Sequence, residues 1–175
     1  MATFEEQVEA ATGISITSTS VPTQTDLNIF LFDGVKDVTT HSIVSDPLSV
    51  LSFARETELT IDPDFDLDGA RIIGVFREAG DNTDLRECRF IPPSQQSRVT
   101  DSTSMAFASK FNPAYTVLND GAIKVFPVPN ASNNRFKVMY VNDEPMNTEE
   151  TDISYLNSEL KYFPKEKLHL VTLYA

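Results

Sequence analysis

One run in this sequence looks like a cation site. Asp62, Asp64, Asp66 and Asp68 alternate with other residues, and Gly69 follows them. A helix-loop-helix calcium loop places oxygen ligands at its first, third and fifth positions, a glycine at the sixth and a bidentate glutamate at the twelfth. Setting Asp64, Asp66 and Asp68 on the first three of these ligand positions puts Gly69 in its proper place, but Val75 where the glutamate belongs. The flanks carry strand patterns rather than helix patterns. The run therefore reads as a polar turn between strands, with a weak exposed cation site as the lesser reading.

Nucleophilic chemistry has little to draw on. The two histidines, His41 and His169, stand outside any local catalytic signature. His169, between Leu168 and Leu170, reads as a packing or hydrogen-bonding residue of a terminal helix. The single cysteine, Cys88, excludes an internal disulfide and any thiolate-rich metal site. Its arginine neighbours, Arg86 and Arg89, would lower its pKa, yet a cysteine within a strand is usually inert. Six glycines, scattered singly, make no phosphate cradle, and the absence of tryptophan removes the usual sugar-stacking residue. The expectation is a protein that is not an enzyme and uses no cofactor.

Basic and aromatic residues interleave at Lys110-Phe111, Lys124-Val125-Phe126 and Arg135-Phe136-Lys137. Single-strand nucleic-acid platforms use such a mixture. Here the alternation is better explained by strands with one buried and one solvated face.

Charge separates the two halves of the chain. Of the 175 residues, 1–87 hold 17 Asp/Glu against 5 Lys/Arg, whereas 88–175 hold 9 of each. The formal charge of −12 thus resides in the first half, and tight nucleic-acid binding is disfavoured because it needs a concentrated basic surface. An acidic lobe and a neutral-to-basic lobe could meet head to tail between identical chains; acidic loops that merely confer solubility are the plainer reading.

The elements that must position these residues are legible in outline. Thr3 and Glu6 form a capping box, Phe4, Val8 and Ala11 share a stripe, and Gly13 stops the helix. After a Ser/Thr-rich connector, Pro22-Thr23 opens a second helix with Asp26 in its first turn. Leu27, Phe30, Leu31, Val35 and Val38 recur at helical spacing, and Ile29-Phe30-Leu31-Phe32 is apolar nearly all round. Such a segment is predicted to be central or to pack against a neighbouring subunit, which makes Phe30 and Phe32 interface candidates. Asp46-Pro47 begins a short helix through Leu48, Leu51 and Phe53.

Strand patterns then take over: Leu59 and Ile61, Arg71–Arg77, Leu85–Ile91, a hairpin from Tyr115 to Val125 about Asn119-Asp120-Gly121, and Phe136 to Tyr140. Leu156 and Leu160 suggest a short helix. Phe163-Pro164 starts a last one, with Leu168, Val171, Thr172 and Ala175 on one face. That helix has no stop signal: either its end frays or, the favoured expectation, these residues are the ordered part of a longer polypeptide. No apolar run approaches the ~18 residues of a membrane span, and the acidic N-terminus does not read as a secretory signal. The expected fold is α+β: a small helical layer, from residues 1–56 and 143–175, with an antiparallel β-sandwich or barrel-like insertion of about six strands at 57–142.

Two segments carry a family resemblance. The run from Asn112-Pro113-Ala114-Tyr115 through Asp120-Gly121 to Phe126-Pro127 resembles a hairpin of the head-to-tail adaptor (neck, or connector) proteins of tailed bacteriophages. Phe163-Pro164-Lys165-Glu166-Lys167-Leu168-His169 is similar to the proline-initiated helix that follows in such proteins. The resemblance implies a virion structural protein, assembled in the host cytoplasm. It implies a homo-oligomeric ring of about twelve copies docked on the portal protein, with tail or nozzle proteins as further partners and no membrane. DNA would pass through without specific binding. Lys165, Lys167 and His169 then join Phe30 and Phe32 as interface candidates, and Asp62, Asp64, Asp66 and Asp68 become candidates to face the channel. Two rival readings are a tail or fibre β-module that binds a receptor or carbohydrate, and a soluble hydrolase.

Overall fold

The structure, a computed structural model, describes residues 2–62, 70–80, 84–118, 121–130, 133–142 and 144–175. The chain is α+β and divides into two compact units, a helical unit built from 1–54 and 142–175 and a β unit at 55–141.

In the helical unit, α1 (Phe4–Thr12) and α2 (Gln24–Ser45) each begin with a reciprocal capping box. Thr3 Oγ1 accepts the Glu6 N–H at 3.2 Å while Glu6 Oε2 accepts the Thr3 N–H at 3.0 Å. Thr23 and Asp26 repeat the pattern, and the Thr23 N–H and hydroxyl, both donating to Asp26 Oδ2, hold that carboxyl below the ordinary carboxylate range. Gly13, at φ 71°, ends α1 by donating its N–H to Glu9 O. Other N–H groups at the start of α1 find partners in the last part of the chain: Phe4 N donates to Asn157 O and Glu5 N to Tyr155 O, at 2.8 and 3.1 Å. Residues around 155–157 therefore form a turn whose carbonyls cap α1, not the short helix that Leu156 and Leu160 suggest.

The segment after Asp46 is a 3₁₀ helix, Pro47–Phe53. With about three residues per turn, positions three apart align. Val50 and Phe53 form the buried ridge, and Leu48 and Leu51 form an exposed one, so the apolar spacing that suggested a helix does not all face the core. A 3₁₀ turn, Lys165–Lys167, leads into α4 (Leu168–Tyr174), which buries Val171. On α2, Gly34 admits Tyr174 so closely that a Cβ there would meet the tyrosine's own Cβ, Cγ and Cδ1 at 3.1–3.3 Å.

Among the described residues the β unit forms two sheets, not closed into a barrel. The first is antiparallel, in the order β1 (Arg55–Glu56), β7 (Phe136–Val141), β2 (Arg71–Glu78), β3 (Leu85–Glu87). The second orders β4 (Arg89–Phe90), β5 (Ala114–Val117) and β6 (Ile123–Phe126); β5 and β6 form the expected hairpin, but β4 runs parallel to β5. The chain crosses between sheets at Cys88, whose N–H still bonds Val75 O at 2.7 Å. Val75, Cys88, Ile123, Val125, Phe136 and Val138 make one core from both sheets. Ile91, Val99, Ala108, Ala114 and Phe126 make a second, beneath α3 (Gln96–Thr100). Ile72 and Val75, three apart, pack in the same core because a bulge shifts the register between Ile72 and Gly74 and reverses the alternation. Leu59 and Ile61, read as part of a strand, contribute only an isolated bridge at Thr60 to Phe136.

Candidate functional site

α2 settles where Phe30 and Phe32 go. Its buried stripe runs through Leu27, Leu31, Gly34, Val35, Val38, Thr39 and Ile43. At 100° per residue Phe30 and Phe32 fall on opposite margins of that stripe and remain 40% and 36% exposed. The opposite side carries Ile29, Asp33, Lys36, Asp37, Thr40 and Val44, so an exposed isoleucine and valine flank two acids. Lys36 Nζ lies 5.1 Å from the Phe32 ring centroid, and His41 Nε2 stands 3.5 Å from Asp37 Oδ1, one helical turn away. Asp33, Lys36, Asp37, Thr40 and Tyr174 border a shallow cleft of about 290 Å³. α2 is thus neither central nor apolar all round once folded.

The three C-terminal candidates have local partners. Lys165 Nζ bonds Glu159 Oε1 at 2.9 Å, Lys167 Nζ lies 5.4 Å from the Phe53 ring centroid, and His169 Nδ1 donates to Glu166 O at 2.8 Å. His169 is exposed, so of its two readings hydrogen bonding holds and packing does not. Of the acidic run, Asp62 is exposed and its N–H bonds Thr60 Oγ1; Asp64, Asp66 and Asp68 lie outside the described residues. Among the described residues no three His, Cys, Asp or Glu side chains gather as a metal would require.

Two features of the β unit depend on residues that only the fold brings together. An open cleft of about 350 Å³ is lined by Ile73, Gly74, Glu87, Cys88, Arg89, Phe90 and Tyr115. Burial pushes the Cys88 thiol up to about 12, outweighing the pull of Arg77, and burial likewise raises the Tyr115 phenol. Cys88 is therefore a thiol at neutral pH, and native protein at pH 8 is expected to resist iodoacetamide over a time that fully alkylates it in urea. Rapid native alkylation, followed by mass spectrometry, would contradict that expectation.

The second feature is an aromatic and basic surface. Phe111 is 62% exposed, with Arg86 Cζ at 5.2 Å and Lys110 Nζ at 4.8 Å from its ring centroid. Phe90, also exposed, meets Tyr115 edge-on at 5.5 Å. The Lys110-Phe111 interleaving does not have its aromatic inward, as a strand with one buried face would require; the ring lies outward between two cations. The sequence signal was that interleaving, whereas Arg86, 25 positions earlier, is brought to it only by the fold. No family model matches the chain, and neither does any curated protein sequence.

Proposed function

We propose that the chain is a virion structural protein, a head-to-tail adaptor that assembles as a ring between portal and tail and lets DNA pass. The observation that carries this reading is the outer side of α2. A helix whose inner side is core leaves Ile29, Phe30, Phe32 and Val44 in contact with solvent, and apolar groups concentrated on one exposed helix suit burial by a neighbouring protein. The resemblance in the 112–127 hairpin and in the 163–175 segment points the same way. The formal charge of −12 suits a protein that does not grip phosphate.

Electron microscopy of the purified protein, alone and mixed with a portal protein, tests the reading through particle symmetry. A closed ring is the expected result. Phe30→Asp should preserve the circular-dichroism spectrum and the thermal transition, because the position is marginal to the core, yet abolish the ring. Wild-type protein that stays monomeric with portal present would overturn the proposal. The same preparation should bind duplex DNA very weakly at physiological salt. A second reading, a β-module that binds carbohydrate, is supported by the Phe90 and Tyr115 rings at the cleft, and binding on a glycan array would favour it over the first.

A further inference from the structure

The two sheets of the β unit part at Cys88. Its N–H bonds Val75 O, and the next N–H along the chain, that of Arg89, bonds Pro113 O at 3.0 Å. β2 consequently loses its β3 neighbour at Gly74 and Ile73, where its own bulge lies. The cleft of about 350 Å³ is lined by these two residues, by 87–90 and by Tyr115. Its volume falls in the lower part of the range of small-ligand sites.

Two rings and one carboxylate give the cleft its chemistry. Phe90 and Tyr115 stand edge-on at an interplanar angle of 64°, Phe90 exposed and Tyr115 half-buried. Burial is the main cause that raises the Tyr115 phenol and the Cys88 thiol, and the charge of the exposed Glu87 adds to it at both, so that carboxylate bears on the same place. Among the described residues neither the Glu87 carboxylate nor the Tyr115 hydroxyl has a hydrogen-bond or ion-pair partner. Arg89 also borders the cleft, but its Nη2 donates to Ala106 O, and the charges that act on Tyr115 are those of Cys88 and Glu87.

We infer that this cleft binds a small alkylated ammonium ion, of the size of choline, against Phe90, Tyr115 and Glu87. Aromatic rings attract such a cation through their quadrupoles, its methyl groups pack on the ring faces, and an unpaired carboxylate supplies the opposite charge. The formal charge of −12 draws cations towards the chain and repels the anions that Arg89 could otherwise take. A calcium ion would need six or more oxygen ligands, and among the described residues no three His, Cys, Asp or Glu side chains gather. Such binding is independent of ring assembly and would compete with carbohydrate for the same cleft.

NMR titration of the whole chain at constant ionic strength tests this, with choline as one probe and, as the other, the uncharged alcohol in which carbon replaces its nitrogen. Choline should shift the ring resonances of Phe90 and Tyr115 saturably, and the alcohol should bind about tenfold more weakly. Glu87→Gln and Phe90→Leu, both at exposed positions, should keep the circular-dichroism spectrum and each weaken choline binding by about tenfold. Ring resonances that choline leaves unmoved, equal affinity for choline and the alcohol, or affinity indifferent to Glu87→Gln would overturn the inference. Saturable shifts of the same rings by a neutral sugar, at lower concentration than by choline, would assign the cleft to carbohydrate and overturn it too. Tighter binding of a lysine-containing peptide than of choline would make the cleft a seat for a protein side chain and remove the small-molecule assignment.

Discussion

Glu78→Ala is expected to cost roughly 3 kcal/mol of stability, the lower part of the range for breaking a buried ion pair, because the Arg135 guanidinium keeps some contact with water. Glu78 is 0% exposed, at the end of β2. Its Oε2 accepts the Arg135 backbone N–H at 2.7 Å and Nε–H at 3.2 Å, and its Oε1 accepts from Nη2 at 3.0 Å. The carboxylate so replaces most of the water it loses, and its removal orphans three donors. Burial alone would raise the Glu78 pKa; the Arg135 hydrogen bonds and charge outweigh it and hold the group below its ordinary value. A carboxyl depressed in the folded state adds stability at pH values above its unfolded pKa, and that stability fades as the pH falls through the folded one. Urea midpoints of wild type and Glu78→Gln should therefore differ most at neutral pH and converge in acid. A constant difference down to pH 2 would show that the charge of Glu78 does not matter.

Phe53→Ala should be at least as damaging, at about 3–5 kcal/mol for a buried phenylalanine. Phe53 is the last residue of the 3₁₀ helix, where the chain leaves the helical unit, and Phe163 lies just ahead of α4, after it has returned. Their rings meet edge-on at 5.3 Å and 84°. Truncation removes the ring that joins two chain segments 110 positions apart and leaves a cavity. Phe53→Leu, which keeps most of the volume, should recover a large part of the loss. Equal denaturation midpoints for wild type and Phe53→Ala would show that the pair is not a structural tie.

What could be read beforehand follows the range of the interactions concerned. Both capping boxes join residues three apart, so Thr3 with Glu6 and Thr23 with Asp26 were legible directly. The β5–β6 hairpin was equally open to reading, since alternation continues on both sides of one short turn. Glu78 and Arg135 stand 57 positions apart, and nothing in either neighbourhood announces the other. The bulge after Ile72 reverses strand parity without a local signature stronger than Gly74. The run 85–91 alternates as if it were one strand, yet the crossing at Cys88 assigns its two ends to different sheets. At Phe30 and Phe32 the composition of four residues suggested burial on every side, whereas the 22-residue helix has enough other apolar positions to satisfy the core.

β1 is only two residues long, yet its pairing of Arg55 with Tyr140 and Glu56 with Met139 sets the entry and exit of the inserted β unit side by side. Closing a flexible loop of that size carries a logarithmic entropy term of roughly 4 kcal/mol. Once the β unit has folded, most of that cost has been met by contacts of its own, and residues 1–54 and 142–175 face only a short gap. Synthesis on the ribosome favours the same order, because the β unit is contiguous and emerges complete while the helical unit still lacks its last segment. The N-terminal helices must then wait, with Phe53 lacking its Phe163 partner, until residues 142–175 emerge. That interval is when this chain most needs a chaperone.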